Sequence, residues 1–512
     1  MIELSLAEIA DIVGGRLADI SADDAATTRV TGTVEFDSRA ITPGGLFLAM
    51  PGARHDGHDH AAAAIAAGAV AVLAARPVGV PAVIAAPADS ADRGAGVLEH
   101  DRDGAGAAVL AALAKLAAEV ARRLTAAGLR IVGVTGSAGK TSTKDLLAAV
   151  LAPLGQVVAP PGSFNNELGH PWTVLRATED TDFLILELSA RHPGNIAALA
   201  AIAPPSIGVV LNVGTAHLGE FGSRQAIADT KSELAQAIPA SGAVILNADD
   251  PAVAAMAAVT DARVVRVSRA PGTEAQLWAE DVRLDELARP RFRLCRAGES
   301  VEVALAVHGD HQVSNALCAA AVACECGANL AQAAAALAGA GPVSARRMDV
   351  RTRADGVTVI NDAYNANPDS MAAGLKALAW MARGDGGPPR RSVAVLGEMA
   401  ELGDDAITEH DRIGRLVVRL DVSLLVAVGA GRPMSALLNG AVMEGSWGAE
   451  AVAVADADAA LELLRAELAP GDVVLVKASN SVGLGALGET LAGDATDPDA
   501  PKPAAVGEDS TR

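Results

Sequence analysis

Runs of consecutive apolar residues, not alternating ones, dominate the middle of this 512-residue chain. From Ala107 an apolar helical pattern reaches Ala127 and Gly128 ends it. Short apolar runs follow at 131–135 (IVGVT), 183–188 (FLILEL), 207–212 (IGVVLN) and 243–247 (AVILN), with helical sequence between them. Strands that are apolar on both faces and spaced by helices predict a parallel sheet covered on both sides. A second series at 357–362 (VTVIND), 392–397 (SVAVLG), 424–429 (LLVAVG) and 473–477 (VVLVK) predicts a smaller domain of the same kind. The first hundred residues instead mix short strands with turn signals.

Two breaks divide these patterns: the charged, glycine-containing stretch Asp101-Arg102-Asp103-Gly104-Ala105-Gly106, and Gly341-Pro342. A chain of this length exceeds what one core organises. The expectation is an α/β protein of three domains. Residues 1–105 form an N-terminal domain, 106–340 a central domain with a doubly wound, mostly parallel sheet, and 341–493 a smaller Rossmann-like C-terminal domain. Residues 494–512, rich in Pro, Asp and Ala and without periodicity, read as a disordered tail.

In open α/β sheets ligands collect at the carboxyl ends of the strands. Here those ends carry Thr135, Glu187, Asn212, Asn247, Asp362, Glu398 and Lys477. Two such rims facing each other predict a site between domains.

The sharpest local signal is IVGVTGSAGKTSTKD, in which a strand runs through Gly136, Ser137, Ala138 and Gly139 into Lys140, Thr141 and Ser142, and DLLAAVLAPL continues as helix. Glycines let backbone N–H groups turn towards phosphate oxygens, and the helix N-terminus favours their charge. Lys140 can then reach the outer phosphates and Thr141 can ligate magnesium. The pattern is the shorter GxxGKT, because position 134 is Val, but its strand and helix context fits a nucleoside triphosphate.

Charge and composition narrow the partners. The net charge of -21, from 41 basic and 62 acidic residues, argues against a nucleic-acid surface, which needs Lys and Arg to neutralise phosphates. The longest uncharged apolar stretch, 61–75, is mostly alanine and too short to span a membrane. Glu3, Glu8 and Asp11 stand where a signal peptide has basic and then apolar residues, so a cytoplasmic protein is expected. Cys295, Cys318, Cys324 and Cys326 have no paired CxxC spacing and read as buried reduced thiols.

Together with TGSAGKTS, four further blocks resemble the Mur ligase family: GSFNNELGHPWTVLRA (162–177), ELSARHPGNI (187–196), NVGTAHLGEFGSRQAIADTKSEL (212–234) and NDAYNANPDSM (361–371). The resemblance covers the chain up to the tail. It implies an ATP- and magnesium-dependent ligase that joins a carboxylate to an amine through an acyl phosphate. Lys140, Glu187, His217 and Lys231 would carry the reaction, with Thr141, Glu187, His217 and Lys231 holding metal. Asn315, Arg347, Asp362, Tyr364 and Asn365 would contact the nucleotide beside the phosphate loop. FDSRAITPGGLFLAMPGARHDGHDH (36–60) resembles the family's uridine-diphosphate-sugar segment, with Ser38 and Arg39 near the diphosphate. Asn165 and Asn166 would contact the same substrate.

Several of these residues also have plainer readings. Glu187 could cap the following helix, yet an ionised carboxylate at a buried strand end is expensive unless it meets a cation. His217 could be a cap or a core histidine. By resemblance Lys231 reacts with carbon dioxide to become an N-carboxylated lysine, whose carbamate can hold a metal; otherwise it is a solvated helix lysine paired with Asp229 or Glu233. Tyr364 could stack on a base or fill the domain interface. Asn367 and Asp369 could meet an incoming dipeptide, and Asn-Pro-Asp is equally a helix start.

The family's Asn-Pro-Arg motif for a diamino acid is absent, and Asn365-Ala366-Asn367-Pro368-Asp369-Ser370 stands in its place. By resemblance this favours the member that takes a UDP-muramoyl tripeptide and D-alanyl-D-alanine, acting as a monomer. Three departures bear on turnover: Ser189-Ala190-Arg191 in place of Gly-Ala-Asn, Asn480 in place of Arg, and Arg346 in place of an aromatic residue. They leave two alternatives, a nucleotide-binding homologue that has lost turnover and acts as a binding partner, or another amide ligase of the family.

Overall fold

The computed structural model describes residues 1–493 apart from 54, 89–95, 216–217, 273, 385–387 and 446–449. The tail expected at 494–512 lies outside the described residues, and so does His217.

Continuous apolar runs do form the central sheet. Its nine strands lie in the order Glu299–Ala304, Pro290–Arg296, Leu277–Leu284, Arg263–Ser268, Ala243–Asn247, Ile207–Val210, Arg130–Thr135, Phe183–Glu187 and Val157–Val158. Strands from Leu277–Leu284 to the Val157–Val158 edge pair in parallel, and helices return the chain to the same end at every connection except that from Arg263–Ser268 to Leu277–Leu284. One face packs on helices Lys140–Leu151 and Gln312–Glu325, the other on Ala105–Ala127 and Arg224–Ala237. The far edge is an antiparallel meander of three strands that the apolar runs do not signal. Leu277–Leu284 (LWAEDVRL) is buried on alternate residues only, so its signal is a period of two interrupted by charges.

The stretch at 101–106 leads directly into a helix. Helix Ala105–Ala127 begins where the Asp101 carboxylate accepts the N–H groups of Gly104, Gly106 and Ala107. It ends at Gly128, whose left-handed φ of 117° lets its N–H close on the Leu124 and Thr125 carbonyls. The helix shares one buried cluster with Leu6, Ile9 and Val13 of the N-terminal domain and Leu184 and Leu186 of the central sheet. Asp101→Ala would cost about 1 to 2 kcal/mol through the lost cap.

The N-terminal sheet orders its strands Arg16–Ala18, Ala82–Ile84, Ala69–Ala74, Gly45–Leu48 and Val34–Glu35, parallel except at the first pair. The C-terminal sheet runs Asp349–Thr352, Thr358–Asn361, Val473–Lys477, Ser392–Leu396, Leu424–Val428 and Ala451–Val454, again with one antiparallel edge. The turn joining Leu277–Leu284 to Pro290–Arg296 leaves the central domain and buries Ala288 in the C-terminal core, where Trp380 Nε1 donates to the Asp285 carbonyl at 2.8 Å. No helix among the described residues is long and apolar enough to cross a membrane.

Candidate active site

Register brings the chemistry together. Glu187 lies beside Val134, and Val210 beside Thr135, so the phosphate loop leaves the sheet between the carboxyl ends that carry Glu187 and Asn212. Gly139 takes a φ of 84°, and a side-chain carbon there would come within 2.8 Å of Asn315 Oδ1, so glycine is needed on both counts. Asn212 straps the loop from outside: its Oδ1 accepts the Ala138 N–H at 2.9 Å and its Nδ2 donates to the Ala138 carbonyl at 3.1 Å. The Ser137 hydroxyl accepts the Gly214 N–H at 2.9 Å. Lys140 Nζ rests on the Gly136 carbonyl at 2.8 Å, poised over the loop.

Glu187 is the electrostatic centre of this half. It is wholly buried, and its Oε2 accepts from Thr141 Oγ1 (3.3 Å), Ser163 Oγ (3.2 Å) and Asn165 Nδ2 (3.4 Å). Its Oε1 has no hydrogen-bond partner among the described residues. Burial drives the carboxyl's pKa up, against the pull of Lys140, Lys144 and Arg347. A buried oxygen left unsatisfied costs free energy, and the oxygen donors of Glu187 and Thr141 are of the kind that would hold a divalent cation.

Lys231 sits on the inward face of helix Arg224–Ala237 and is only 5% exposed. Burial, helped by the charge of Lys140, lowers its pKa to about 7. The solvated reading fails: Asp229 accepts from Gln225, and Glu233 caps helix Asn195–Ile202 through the Gly194 and Ala197 N–H groups. Lowering the pKa exposes the unprotonated amine, whose lone pair adds to carbon dioxide, so the residue fits that modification.

The opposite wall comes from the C-terminal domain. Arg347, Tyr364, Asn365 and Asn367 face Ser137–Ser142, Asn165, Asn166 and Arg191 across a cavity of about 260 Å³. The Arg347 guanidinium lies 4.2 Å from the Tyr364 ring centroid and donates to Thr141 Oγ1 at 3.4 Å, so one face of that ring is already covered. Asp362 is paired with buried Lys477 at 2.6 Å and accepts the Met348 N–H, and the Asn365 carbonyl accepts from Lys477 at 3.0 Å. Asn367 caps helix Pro368–Arg383 by accepting the Ser370 N–H at 2.9 Å, so the helix start is real while the residue also lines the cavity. Asp369 Oδ2 accepts the Thr215 N–H at 3.1 Å and ties this helix to the central domain.

Not every expected residue is gathered here. Asn315 is buried behind Gly139, with its amide donating to Gln312. Asn166 does line the cavity, but its Oδ1 is occupied by the Gly169 N–H at 2.8 Å, at the start of helix Gly169–Val174. Ser38 and Arg39 lie in a turn outside the cavity, where Arg39 forks onto Asp37. Their neighbour Phe36 packs on Phe164 and Trp172, with ring centroids 6.3 and 5.7 Å away, and Trp172 Nε1 donates to the Val34 carbonyl at 2.8 Å. The N-terminal segment is thereby pinned to the loop that carries Asn165. Sequence reasoning missed Ser163, which bonds Glu187, and Lys144, which is 2% exposed and donates to the Pro160 carbonyl and Ser344. The signal for Lys144 was its spacing of four from Lys140 on an otherwise apolar helix face. The four cysteines are free, Cys295 and Cys318 buried and the other two half-buried.

This fold and site define a phosphate-loop protein with a polar cleft between two α/β domains. Residues 134–323 match the Mur ligase middle domain, 346–480 the Mur ligase glutamate ligase domain, and 32–120 the Mur ligase family catalytic domain. A relative from Mycobacterium bovis, named UDP-N-acetylmuramoyl-tripeptide--D-alanyl-D-alanine ligase, is 71% identical over 507 residues, covering 97% of this chain and 99% of its own. An Escherichia coli relative of the same name is 33% identical over 84% of this chain and 86% of its own. Among solved structures, MurF from Acinetobacter baumannii superposes with a TM-score of 0.78 at 27% identity, covering 96% of this chain and 99% of that one. The MurF ligase of Thermotoga maritima, in complex with ADP, gives 0.71 at 26% identity over 90% and 97%. The chain belongs to the Mur ligase family.

Proposed function

We propose that this chain is the ligase that joins D-alanyl-D-alanine to UDP-N-acetylmuramoyl-tripeptide at the expense of ATP, in the making of peptidoglycan precursors. The observation that carries the reading is the 71% identity to a ligase of that name across 97% of the chain. The site supplies what such a reaction needs. The terminal carboxylate of the tripeptide attacks the γ-phosphorus of ATP, ADP leaves, and an acyl phosphate forms. The amine of the dipeptide then attacks the acyl carbon and inorganic phosphate departs.

Both reactants of the first step are anions, so the protein's work is charge compensation and positioning. Lys140 and the N–H groups at 136–142 offset the triphosphate. Thr141, Glu187, His217 and N-carboxylated Lys231 would hold magnesium, which when bound supplies further positive charge against the phosphates. Converting Lys231 into a carbamate replaces a cation with an anion, which suits it to that role. Arg347, Asn315, Asp362, Tyr364 and Asn365 take the nucleoside side. Asn165 and Asn166 meet the tripeptide, Ser38 and Arg39 the uridine diphosphate, and Asn367 and Asp369 the dipeptide. The enzyme works as a cytoplasmic monomer, and through its product it serves cell shape and division. The alternative of a homologue without turnover gains nothing from the site, because Lys140, Thr141 and Glu187 stand together at the loop.

The test is phosphate release from ATP by the purified chain with magnesium. It is expected only when both UDP-N-acetylmuramoyl-tripeptide and D-alanyl-D-alanine are present. Release that ignores both acceptors, or none with any combination, would overturn the reading.

A further inference from the structure

Arg191 occupies a place that the reaction above does not use. It follows the buried strand that ends in Glu187, and its backbone is fixed because Asn195 Oδ1 accepts both the Arg191 N–H (3.0 Å) and the His192 N–H (2.8 Å). The residue lines the same cavity as the phosphate loop, yet its side chain is 48% exposed. It abuts Gly96 of the N-terminal domain so closely that any side-chain carbon at that position would overlap it. On its other side it meets Glu401 of the C-terminal domain at 3.6 Å. All three domains therefore converge on one planar cation. The ion pair is loose and half exposed, and such pairs contribute little, so exchanging Glu401 for another carboxylate costs almost nothing.

On the proposed function, the acyl substrate must stretch from the N-terminal domain to the phosphate loop, and it passes this junction. The substrate named for an Acinetobacter baumannii relative contains glutamyl and 2,6-diaminopimelate residues. A glutamyl residue in a chain keeps one free carboxylate, and diaminopimelate keeps a second one when the other is activated. We propose that Arg191 is a specificity-determining residue that grips a spare carboxylate of the peptide stem, one that does not react, and that Glu401 holds the guanidinium in place until substrate arrives. Arg is the side chain for this task, since its fork matches a carboxylate with two parallel bonds.

The inference rests on the ligase reading, and the experiment separates the two. KM values for ATP, D-alanyl-D-alanine and three acyl substrates are measured for wild type, Arg191→Gln and Arg191→Lys. The acyl substrates are UDP-muramoyl tripeptides ending in diaminopimelate, ending in lysine, and ending in diaminopimelate with the glutamyl carboxylate amidated. In wild type, removing the gripped carboxylate should raise KM by about 10- to 100-fold, the loss of one charge-assisted contact, and the sensitive arm says which carboxylate it is. Arg191→Gln should raise KM for the carboxylate-bearing substrate by a similar factor, leave KM for ATP and the dipeptide unchanged, and erase the difference between substrates. Arg191→Lys should recover part of it. Equal KM changes across all three acyl substrates, or a wild type indifferent to both carboxylates, would overturn this assignment while turnover leaves the ligase reading standing. No turnover of any acyl substrate by wild type would remove both.

Discussion

The two walls of the cleft are both rich in buried polar groups, but they are satisfied in opposite ways. On the central wall, Glu187 keeps an oxygen with no partner among the described residues and Lys231 is a buried amine whose pKa is lowered to about 7. On the C-terminal wall, Lys477 closes on Asp362, Asn367 on the Ser370 N–H, and Arg347 on Tyr364. Unsatisfied burial is a standing cost that folding alone does not recover, whereas paired burial supports the fold. The central wall is built for something that arrives; the C-terminal wall is built first for itself and lends its outer groups to the ligand.

That contrast predicts opposite outcomes for similar substitutions. Glu187→Gln should abolish ligation, by about 10³-fold or more, while unfolding free energy stays level or rises by about 1 kcal/mol as a strained charge is removed. Thermal melts beside turnover would break the comparison if the variant were both inactive and clearly less stable. Lys477→Met should do the reverse in stability, costing about 3 to 5 kcal/mol because Asp362 loses its one ion-pair partner among the described residues and keeps only the Met348 N–H. Denaturant titration reads it, and a loss below 1 kcal/mol would mean the pair is not structural.

Lys231→Ala should be inactive and partly restored by added short carboxylic acids, which can stand in for the carbamate. Full activity in that variant would remove the N-carboxylation proposal. Smallest, Arg347→Ala should raise KM for ATP about tenfold yet cost no more than about 1 kcal/mol in stability, the scale of a half-exposed cation–π contact. A larger stability loss would place Arg347 with the structural groups.

Much of the central wall is legible in the sequence. Consecutive apolar residues declared the parallel strands, and the glycines of 136–139 declared a loop that must approach phosphate closely. Glu187 was legible as a carboxylate at the end of a strand that has no exposed face. The harder residues share a property: their role lies in a partner far along the chain. Ser163 matters because it reaches Glu187, and Lys144 because it meets Ser344, 200 residues away. The outer meander escaped because its strands bury only one face and charges break their alternation. At the break of 101–106, Asp and Gly signal both a connection and a capped helix start, and Asp101's three N–H partners show that a helix starts there.

Catalysis through an acyl phosphate is the claim on which the charge argument depends, and oxygen transfer tests it most directly. UDP-N-acetylmuramoyl-tripeptide labelled with ¹⁸O in both oxygens of its terminal carboxylate is turned over with ATP and D-alanyl-D-alanine, and the released phosphate is weighed by mass spectrometry. One ¹⁸O per phosphate is expected, because the carboxylate oxygen that attacks phosphorus leaves with it. Product formed alongside unlabelled phosphate would contradict the account.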